Sequence, residues 1–296
     1  MNKRSKKANR VTWIGLFANV ALTLFKLTAG ILGKSAAMVA DAFHSLSDFA
    51  TDIVVLLGFK VISKPVDKDH DYGHGKVETM ISVIIGVMLF AVGVKLLWDG
   101  AYRVIRFYRG AAIPEPGWIA FYAAVSSIAI KECLYRYTKK TGEEIKSPAV
   151  IANAWHHRSD AFSSIATMAG IGGAIMLGER WHILDPIAAI VVSFFIIKTA
   201  VIISWHGFDE LVEVSLSDET ENKILDIIRA VPGAENPHNL KTRRIGNYIA
   251  VDVHIKVKRE LDIVAAHNIS TEVEKEIKAA FGGDTFISVH VEPLDR

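Results

Sequence analysis

The chain has 296 residues, of which 51% are hydrophobic, and its formal net charge is only +2. Its mean hydropathy is positive, at +0.28. This composition favours an integral membrane protein with a water-soluble part over a soluble enzyme, and no nucleic-acid partner is expected. The single cysteine, Cys133, excludes an intrachain disulfide framework and a cysteine-based zinc cluster, so a metal site must use histidines and carboxylates.

Residues 1–10 hold five Lys and Arg residues ahead of a long apolar run. No small-residue cleavage site follows, so we expect a basic cytoplasmic tail and a first span, not a removed signal peptide. Six apolar segments of about 20 residues or more are each long enough to cross a hydrocarbon core of roughly 30 Å. They predict an all-α six-helix membrane bundle over 11–206, with spans near 11–33, 36–63, 77–100, 117–138, 149–178 and 183–206.

Basic residues in the short connections predict the orientation of this bundle. The tail, the second-to-third loop and the fourth-to-fifth loop together carry more Lys and Arg than the connections on the other side. Since positive charge is enriched in cytoplasmic loops, both termini are expected to face the cytoplasm.

From residue 207 onward the composition becomes that of a soluble domain. Helical periodicity predicts helices over 217–230 and 263–281, and strict alternation over 248–257 predicts a half-buried strand. Two further strands are expected, over 239–244 and 286–292. The order αββαβ predicts a small two-layer α+β cytoplasmic domain over 207–296, similar to metallochaperone and ferredoxin-like domains.

Two pairs of ionisable residues interrupt the apolar segments. His44 and Asp48 are four residues apart in the second span, and His156 and Asp160 repeat this spacing in the fifth. Residues four apart share a helix face. Ionisable groups near the bilayer centre cost at least ~2.5–3.5 kcal/mol on insertion scales and so indicate a functional site. A single pair would equally well brace the bundle, but two matching pairs favour a four-ligand set suited to tetrahedral Zn2+.

Neighbouring residues leave the ligand set partly open. His157 is an alternative to His156, although the shared spacing favours His156. Asp41 and Asn153 lie on the same faces as the two aspartates, about two turns nearer the N-terminus. Both are candidates to line a water-filled approach to the site. Asp41 is equally expected to be a helix-start or interfacial residue.

These motifs resemble those of cation diffusion facilitators, a family of six-span transporters that export divalent metals. The resemblance covers nearly the whole chain. It rests on Ala40-Asp-Ala-Phe-His-Ser-Leu-Ser-Asp, Tyr72-Gly-His-Gly-Lys, His156-x-x-x-Asp with Ser163-Ser164 after it, Asp185-Pro, and the αββαβ domain. It implies a homodimer, a transport site on the second and fifth helices, alternating access, and exchange of metal for protons. In members with His in the second-span motif, the preferred ion is usually zinc.

The loop after the second span contains a second candidate metal site. His70 and His74 are four residues apart, and Asp67 lies three residues before His70. The resemblance implies a loop metal at these three residues, whereas a loop of Asp and His is ordinarily only solvated. Lys76 matches a family lysine that pairs with a carboxylate at a dimer-facing hinge, and Glu213 is its expected partner.

The soluble domain contains a third candidate site, which the resemblance implies to be a metal cluster at the dimer interface with structural zinc. Each histidine of this set would, alone, be an ordinary surface residue. The position of Glu292 is occupied by Asp in some members of the family. The candidate ligands are His238 before the first strand, His254, His267 on the second helix, His290 and Glu292.

We therefore predict a homodimeric, proton-coupled antiporter of the cytoplasmic membrane that exports zinc, with cadmium, iron, cobalt and nickel as other candidate ions. An enzyme is not expected. A membrane-embedded metallohydrolase would need an open coordination position and a general base, as in H-E-x-x-H, and that motif is absent. A non-transporting metal sensor or assembly scaffold would have no need of the four costly groups in the spans.

Overall fold

The structure is a computed structural model that describes residues 3–47, 49, 67–144, 148–246 and 248–295. The chain forms two compact units. The first consists of Met1–Val55 and Ile84–Ser204, and the second of Leu56–Val83 and Trp205–Arg296. Asp48, one of the four predicted transport ligands, lies outside the described residues.

The first unit is helical. Its helices are α1 (Lys3–Leu32), the described part of α2 (36–47), α3 (Gly75–Tyr108), α4 (Trp118–Glu144), α5 (Pro148–Met176) and α6 (Leu184–Leu211), of which α3 and α6 extend into the second unit. By length and composition, three segments of the described chain could cross a membrane: Arg10–Leu32, Gly75–Tyr108 and Glu179–Leu211. At 27 and 29 residues, α4 and α5 are also long enough, but charged and polar residues interrupt their apolar character.

Helix α3 is longer than its apolar segment predicts. It continues to Tyr108, beyond the predicted end of the span at 100. Arg103 and Arg106 are therefore helical residues and not part of a loop. Arginine is a good helix former, so helical structure can continue where the apolar run ends.

Small residues allow the helices of the first unit to approach closely. A buried cluster at its centre joins α1, α2, α4, α5 and α6 through Ala29, Ala37, Met38, Ala120, Ala123, Ala124, Ile171 and Ala188. Between α3 and α6, a Cβ atom at Gly93 would lie 2.8 Å from a side-chain carbon of Ile197. Glycine at that position therefore permits a helix contact that any larger residue would obstruct.

The second unit contains the predicted αββαβ order. Its elements are α7 (Asp218–Ala230), β1 (Glu235–Ile245), β2 (Tyr248–Val257), α8 (Ile263–Phe281) and β3 (Phe286–Pro293). The central strand, β2, pairs antiparallel with β1 and parallel with β3. Helix α8 begins where Asp262 accepts a hydrogen bond from the backbone N–H of Ala265 at 2.7 Å, as an N-cap residue does.

Alternation along β2 gives the sheet two different faces. Ile249, Val251, Val253, Ile255 and Val257 are buried. They pack in one apolar cluster with residues of α7 and α8, so both helices cover this face. His254 and its polar neighbours point to the other face.

Strand β1 begins at Glu235, four residues earlier than predicted. Irregularities in its pairing with β2 flank His238, and Asn236 and Asn239 have positive φ angles of 43° and 49°. Asparagine tolerates this conformation, and the bulges break the alternation by which a strand is recognised. The expectation that His238 precedes the first strand was therefore wrong, since His238 lies within β1 opposite His254.

Candidate metal sites

The first candidate site lies among the helices of the first unit, around Asp160 on α5. The Asp160 side chain is only 6% exposed, and its Oδ1 lies 3.7 Å from Nδ1 of His156 one turn earlier. His44, on α2, also interacts electrostatically with Asp160. Its Nδ1 is buried without a hydrogen-bond partner in the described part of the chain. Two of the predicted ligands, His156 and His44, thus lie near the buried carboxylate of a third, Asp160, and the position of Asp48 is not described.

His157 is more deeply buried than His156. It is 2% exposed, and within the described residues neither ring nitrogen has a hydrogen-bond partner. A Cβ atom at Gly15 of α1 would lie 3.3 Å from its Nε2, and both Lys131 and Asp160 act on it electrostatically. Buried polar atoms are rarely left unpartnered. His157 therefore stays an alternative ligand to the half-exposed His156.

Two buried lysines lie beside the predicted site, and sequence reasoning missed both. Lys26 on α1 and Lys131 on α4 are each 1% exposed. Lys131 Nζ lies 2.7 Å from Asp160 Oδ2, and Lys26 Nζ lies 2.8 Å from Asp41 Oδ2. The signal was present in the sequence, because a lysine inside an apolar span is as unusual as an aspartate there.

The expectation that Asp41 is a helix-start residue was wrong, because α2 begins at residue 36. Asp41 is 0% exposed and accepts a hydrogen bond from Ser164 Oγ at 3.0 Å as well as pairing with Lys26. Lys26 also donates to Ser45 Oγ and Ser164 Oγ, both at 3.0 Å. Asp41 therefore belongs to a buried polar network that links α1, α2 and α5.

The second candidate site lies in the loop before α3. Asp67 Oδ1 is 3.0 Å from His70 Nδ1, and Asp67 Oδ2 is 3.3 Å from His74 Nε2. One ligand atom from each residue lies within 4.8 Å of the others. The hydrogen bond to His70 is the main reason why the pKa of Asp67 is below its usual value. Two imidazole nitrogens and one carboxylate oxygen form a donor set that zinc accepts.

Lys76 and Glu213 meet as the resemblance implies. Lys76 Nζ donates to Glu213 Oε1 at 2.8 Å, and both side chains are partly exposed. This hydrogen bond and the lysine's charge lower the pKa of Glu213. Glu213 follows the end of α6 with a positive φ angle of 61°, so the pair ties the beginning of α3 to the chain beyond α6.

The third candidate site lies on the polar face of the sheet. Strand register places His254 opposite both His238 on β1 and His290 on β3. Glu292 Oε1 is 2.9 Å from His254 Nδ1, and Glu292 Oε2 is 3.3 Å from His238 Nε2. The hydrogen bond to His254 is the main reason why the pKa of Glu292 is lowered.

The remaining two predicted ligands of the third site, His290 and His267, lie further from Glu292 than His238 and His254 do. His290 is 63% exposed, and its Nε2 is 3.9 Å from Glu292 Oε1. His267 is exposed on α8, where its Nε2 lies 3.5 Å from Thr271 Oγ1. Because α8 covers the apolar face of the sheet, His267 lies on the opposite side from the cluster. The structure thus brings together His238, His254 and Glu292, whose ligand atoms lie within 4.8 Å of one another.

The helical unit has a buried ionisable site, and the small domain has a cluster of metal-ligand residues. Together these features indicate a membrane protein that binds or transports divalent metals. Residues 12–212 match the cation efflux transmembrane domain, and residues 216–294 match the cytoplasmic domain of cation efflux proteins. The chain belongs to the cation efflux family, the cation diffusion facilitators.

Two sequence relatives, one from a plant and one from a bacterium, support this membership. Metal tolerance protein C1 of Arabidopsis thaliana is 34% identical over 98% of this chain, which spans 64% of that protein's length. The manganese efflux system protein MneP of Bacillus subtilis (strain 168) is 32% identical over 99% of this chain and 98% of its own length. A crystal structure of the cytosolic domain of a cation diffusion facilitator family protein is 26% identical, covers 26% of this chain and 90% of its own, and has a TM-score of 0.24.

Family membership establishes the general activity. Cation efflux proteins are membrane transporters of divalent metal ions and not enzymes, so this chain is a metal efflux transporter. The match to their cytoplasmic domain also indicates dimerisation.

Proposed function

We propose that this chain works as a homodimeric antiporter that exports divalent metal, with zinc as the favoured cargo, in exchange for protons. The cargo ligands are His44, Asp48, His156 and Asp160. The observation that carries this proposal is the buried carboxylate of Asp160, whose Oδ1 lies 3.7 Å from His156 Nδ1. His44 on α2 adds a buried Nδ1 that has no hydrogen-bond partner among the described residues. A group of this kind is costly inside a membrane domain and is retained where it binds a cation.

The donor set favours zinc over manganese. Two imidazole nitrogens and two carboxylate oxygens suit a tetrahedral Zn2+ site, whereas Mn2+ prefers oxygen ligands at six-coordinate sites. Manganese is the second candidate because relatives that match almost the whole chain are named manganese efflux system proteins. Cadmium, iron, cobalt and nickel also bind mixed nitrogen and oxygen ligands, so they belong in any comparison of cargo.

Proton exchange follows from the chemistry of the proposed ligands. An imidazole must be neutral to bind a metal, so metal binding displaces protons and protonation displaces the metal. At a site that opens alternately to two compartments, this competition couples inward proton movement to outward metal movement. We place the transporter in the lipid bilayer of the cytoplasmic membrane with both termini in the cytoplasm, as the loop charges predict.

The two clusters outside the bundle are proposed as resident metal sites. His238, His254, His290 and Glu292 would hold structural zinc on the sheet, and the acceptor Glu292 already faces the histidines. His267 would reach such a cluster only from a second chain, because α8 lies behind the sheet. Asp67, His70 and His74 would hold a loop metal, and Lys76 with Glu213 would form the hinge that faces the dimer partner.

Metal flux in proteoliposomes under a pH gradient tests the cargo site and the choice of ion together. We expect zinc flux in the wild type to exceed manganese flux, and Asp48→Ala to abolish both. Comparing His156→Ala with His157→Ala shows which of the two adjacent histidines is the ligand. Only substitution of the ligand should abolish transport. His206→Ala, which removes an exposed histidine of α6, is the matched control. Equal flux in the wild type and Asp48→Ala would remove the proposed site, and faster manganese flux would replace zinc as the cargo.

A further inference from the structure

Two lysine–aspartate pairs are buried among the helices, and one of them engages a proposed metal ligand. Lys131 on α4 is 1% exposed, and its Nζ lies 2.7 Å from Oδ2 of Asp160. Lys26 on α1 is equally buried and pairs with Asp41 at 2.8 Å. Lysine is almost never fully buried without a partner, because removing an ammonium group from water is costly. Each lysine therefore neutralises one carboxylate of the bundle.

The two pairs differ in what else surrounds them. Asp41 accepts from Ser164 Oγ at 3.0 Å, and Lys26 donates to Ser45 and Ser164, so this pair is enclosed by hydroxyl groups. Lys131 also donates a hydrogen bond to Asn19 Oδ1 at 2.9 Å. The other oxygen of Asp160, Oδ1, faces His156. Asp160 therefore presents one oxygen to a lysine and the other to a proposed ligand.

A metal ion on Asp160 and the bond from Lys131 oppose each other. The ammonium group and a divalent cation on the same carboxylate would lie only a few ångströms apart, and like charges repel strongly where little water screens them. Asn19 offers a neutral acceptor that Lys131 can keep when it leaves Asp160. The carboxylate therefore has two alternative cationic partners, the metal and the lysine.

We propose that Lys131 is a tethered counter-cation of the transport site. It neutralises Asp160 while no metal is bound and gives up this bond, keeping Asn19, when metal arrives. The benefit falls on the return step, in which the imidazoles carry the exchanged protons and Lys131 supplies the counter-charge of the buried Asp160. The inference rests on the proposed role of Asp160 as a ligand and deepens it by naming the group that competes with the metal.

The test compares substitutions of the two buried lysines. Zinc affinity is measured on the full-length protein as the binding that Asp160→Asn abolishes, which separates it from the loop and sheet sites. Lys131→Met should bind zinc about tenfold more tightly or better, because the competing cation is gone. Its zinc flux should fall about tenfold, because zinc release and the return step without metal are both hindered. Without metal its melting temperature should drop, and saturating zinc should restore it.

Lys26→Met isolates the effect of losing a buried pair. It should lower the melting temperature about as much as Lys131→Met does. It should leave zinc affinity unchanged, because Asp41 is not a proposed ligand. Lys140→Met, at an exposed position of the same helix as Lys131, should change neither quantity.

Three results would overturn the inference. Unchanged or weaker zinc binding in Lys131→Met, with binding abolished in Asp160→Asn, would refute the counter-cation and leave the transport site standing. An equally large gain in zinc affinity in Lys26→Met would show that the gain does not depend on the bond between Lys131 and Asp160. Wild-type binding and flux in Asp160→Asn would refute the proposed transport site and this inference with it.

Discussion

Asp185, in the first turn of α6, caps helix α2: its Oδ2 accepts a hydrogen bond from the backbone N–H of Ala36 at 2.7 Å. Its Oδ1 accepts from Ser35 Oγ and from the backbone N–H of Ala37. A carboxylate at a helix N-terminus satisfies N–H groups that have no partner within the helix and interacts favourably with the helix dipole. Because α2 carries His44, this contact holds the start of the helix that carries a proposed ligand against α6.

The cap predicts the effect of Asp185→Ala. The N–H groups of Ala36, which is partly buried, and Ala37, which is buried, would lose their acceptor. An unsatisfied buried N–H group costs ~1–3 kcal/mol. We expect a lower melting temperature and weaker zinc transport, both measured on the purified full-length protein. Asp99→Ala removes an exposed aspartate of α3 that pairs with Lys95, and it should change both quantities little. Similar melting temperatures for the two variants would argue against the capping role.

The sheet cluster predicts how zinc stabilises the soluble domain. Substituting Glu292→Ala or His254→Ala should remove zinc-dependent protection of β2 and β3 against hydrogen exchange, because each change deletes a central donor atom. Lys256→Ala alters the same face of the sheet at a residue that pairs with Asp295 and should keep that protection. If zinc protected the strands equally in all the variants, the cluster would not be its binding site.

The same cluster predicts a pH dependence. The pKa of Glu292 is lowered from its ordinary value of 4.5 by the hydrogen bond to His254. Its contribution to stability is therefore fully present above about pH 4.5 and is lost only as the pH falls through the lower folded-state pKa. Zinc-dependent protection against hydrogen exchange should also be lost on acidification, because a protonated imidazole cannot bind the metal. Loss of protection only below pH 4.5 would assign it to the carboxylate.

Lys76 and Glu213 predict a charge-swap rescue. Each single substitution, Lys76→Glu or Glu213→Lys, places like charges at the 2.8 Å contact and should slow zinc flux. The double variant restores opposite charges and should recover most of the flux. Arg243, 3.9 Å from Glu213, would then face a lysine, so recovery should be incomplete. A double variant no faster than either single variant would show that the contact does not act as a hinge.

The sequence predicted features that depend on regular periodicity. Spacing of four placed His156 near Asp160, and alternation gave the two faces of β2. It failed where local geometry broke the pattern, as at the bulged start of β1 around Asn236 and Asn239. Lys131 was also missed, because a lysine is not a metal ligand and so belongs to no metal-ligand spacing. Only tertiary contact shows that this lysine pairs with Asp160.

The most direct test of the central claim records zinc and proton fluxes together across proteoliposome membranes, for the wild type and Asp160→Ala. We predict that the wild type moves zinc and protons in opposite directions, that a protonophore weakens zinc movement, and that both coupled fluxes fall to background in Asp160→Ala. Zinc flux that a protonophore leaves unchanged, or that persists in Asp160→Ala, would contradict the account.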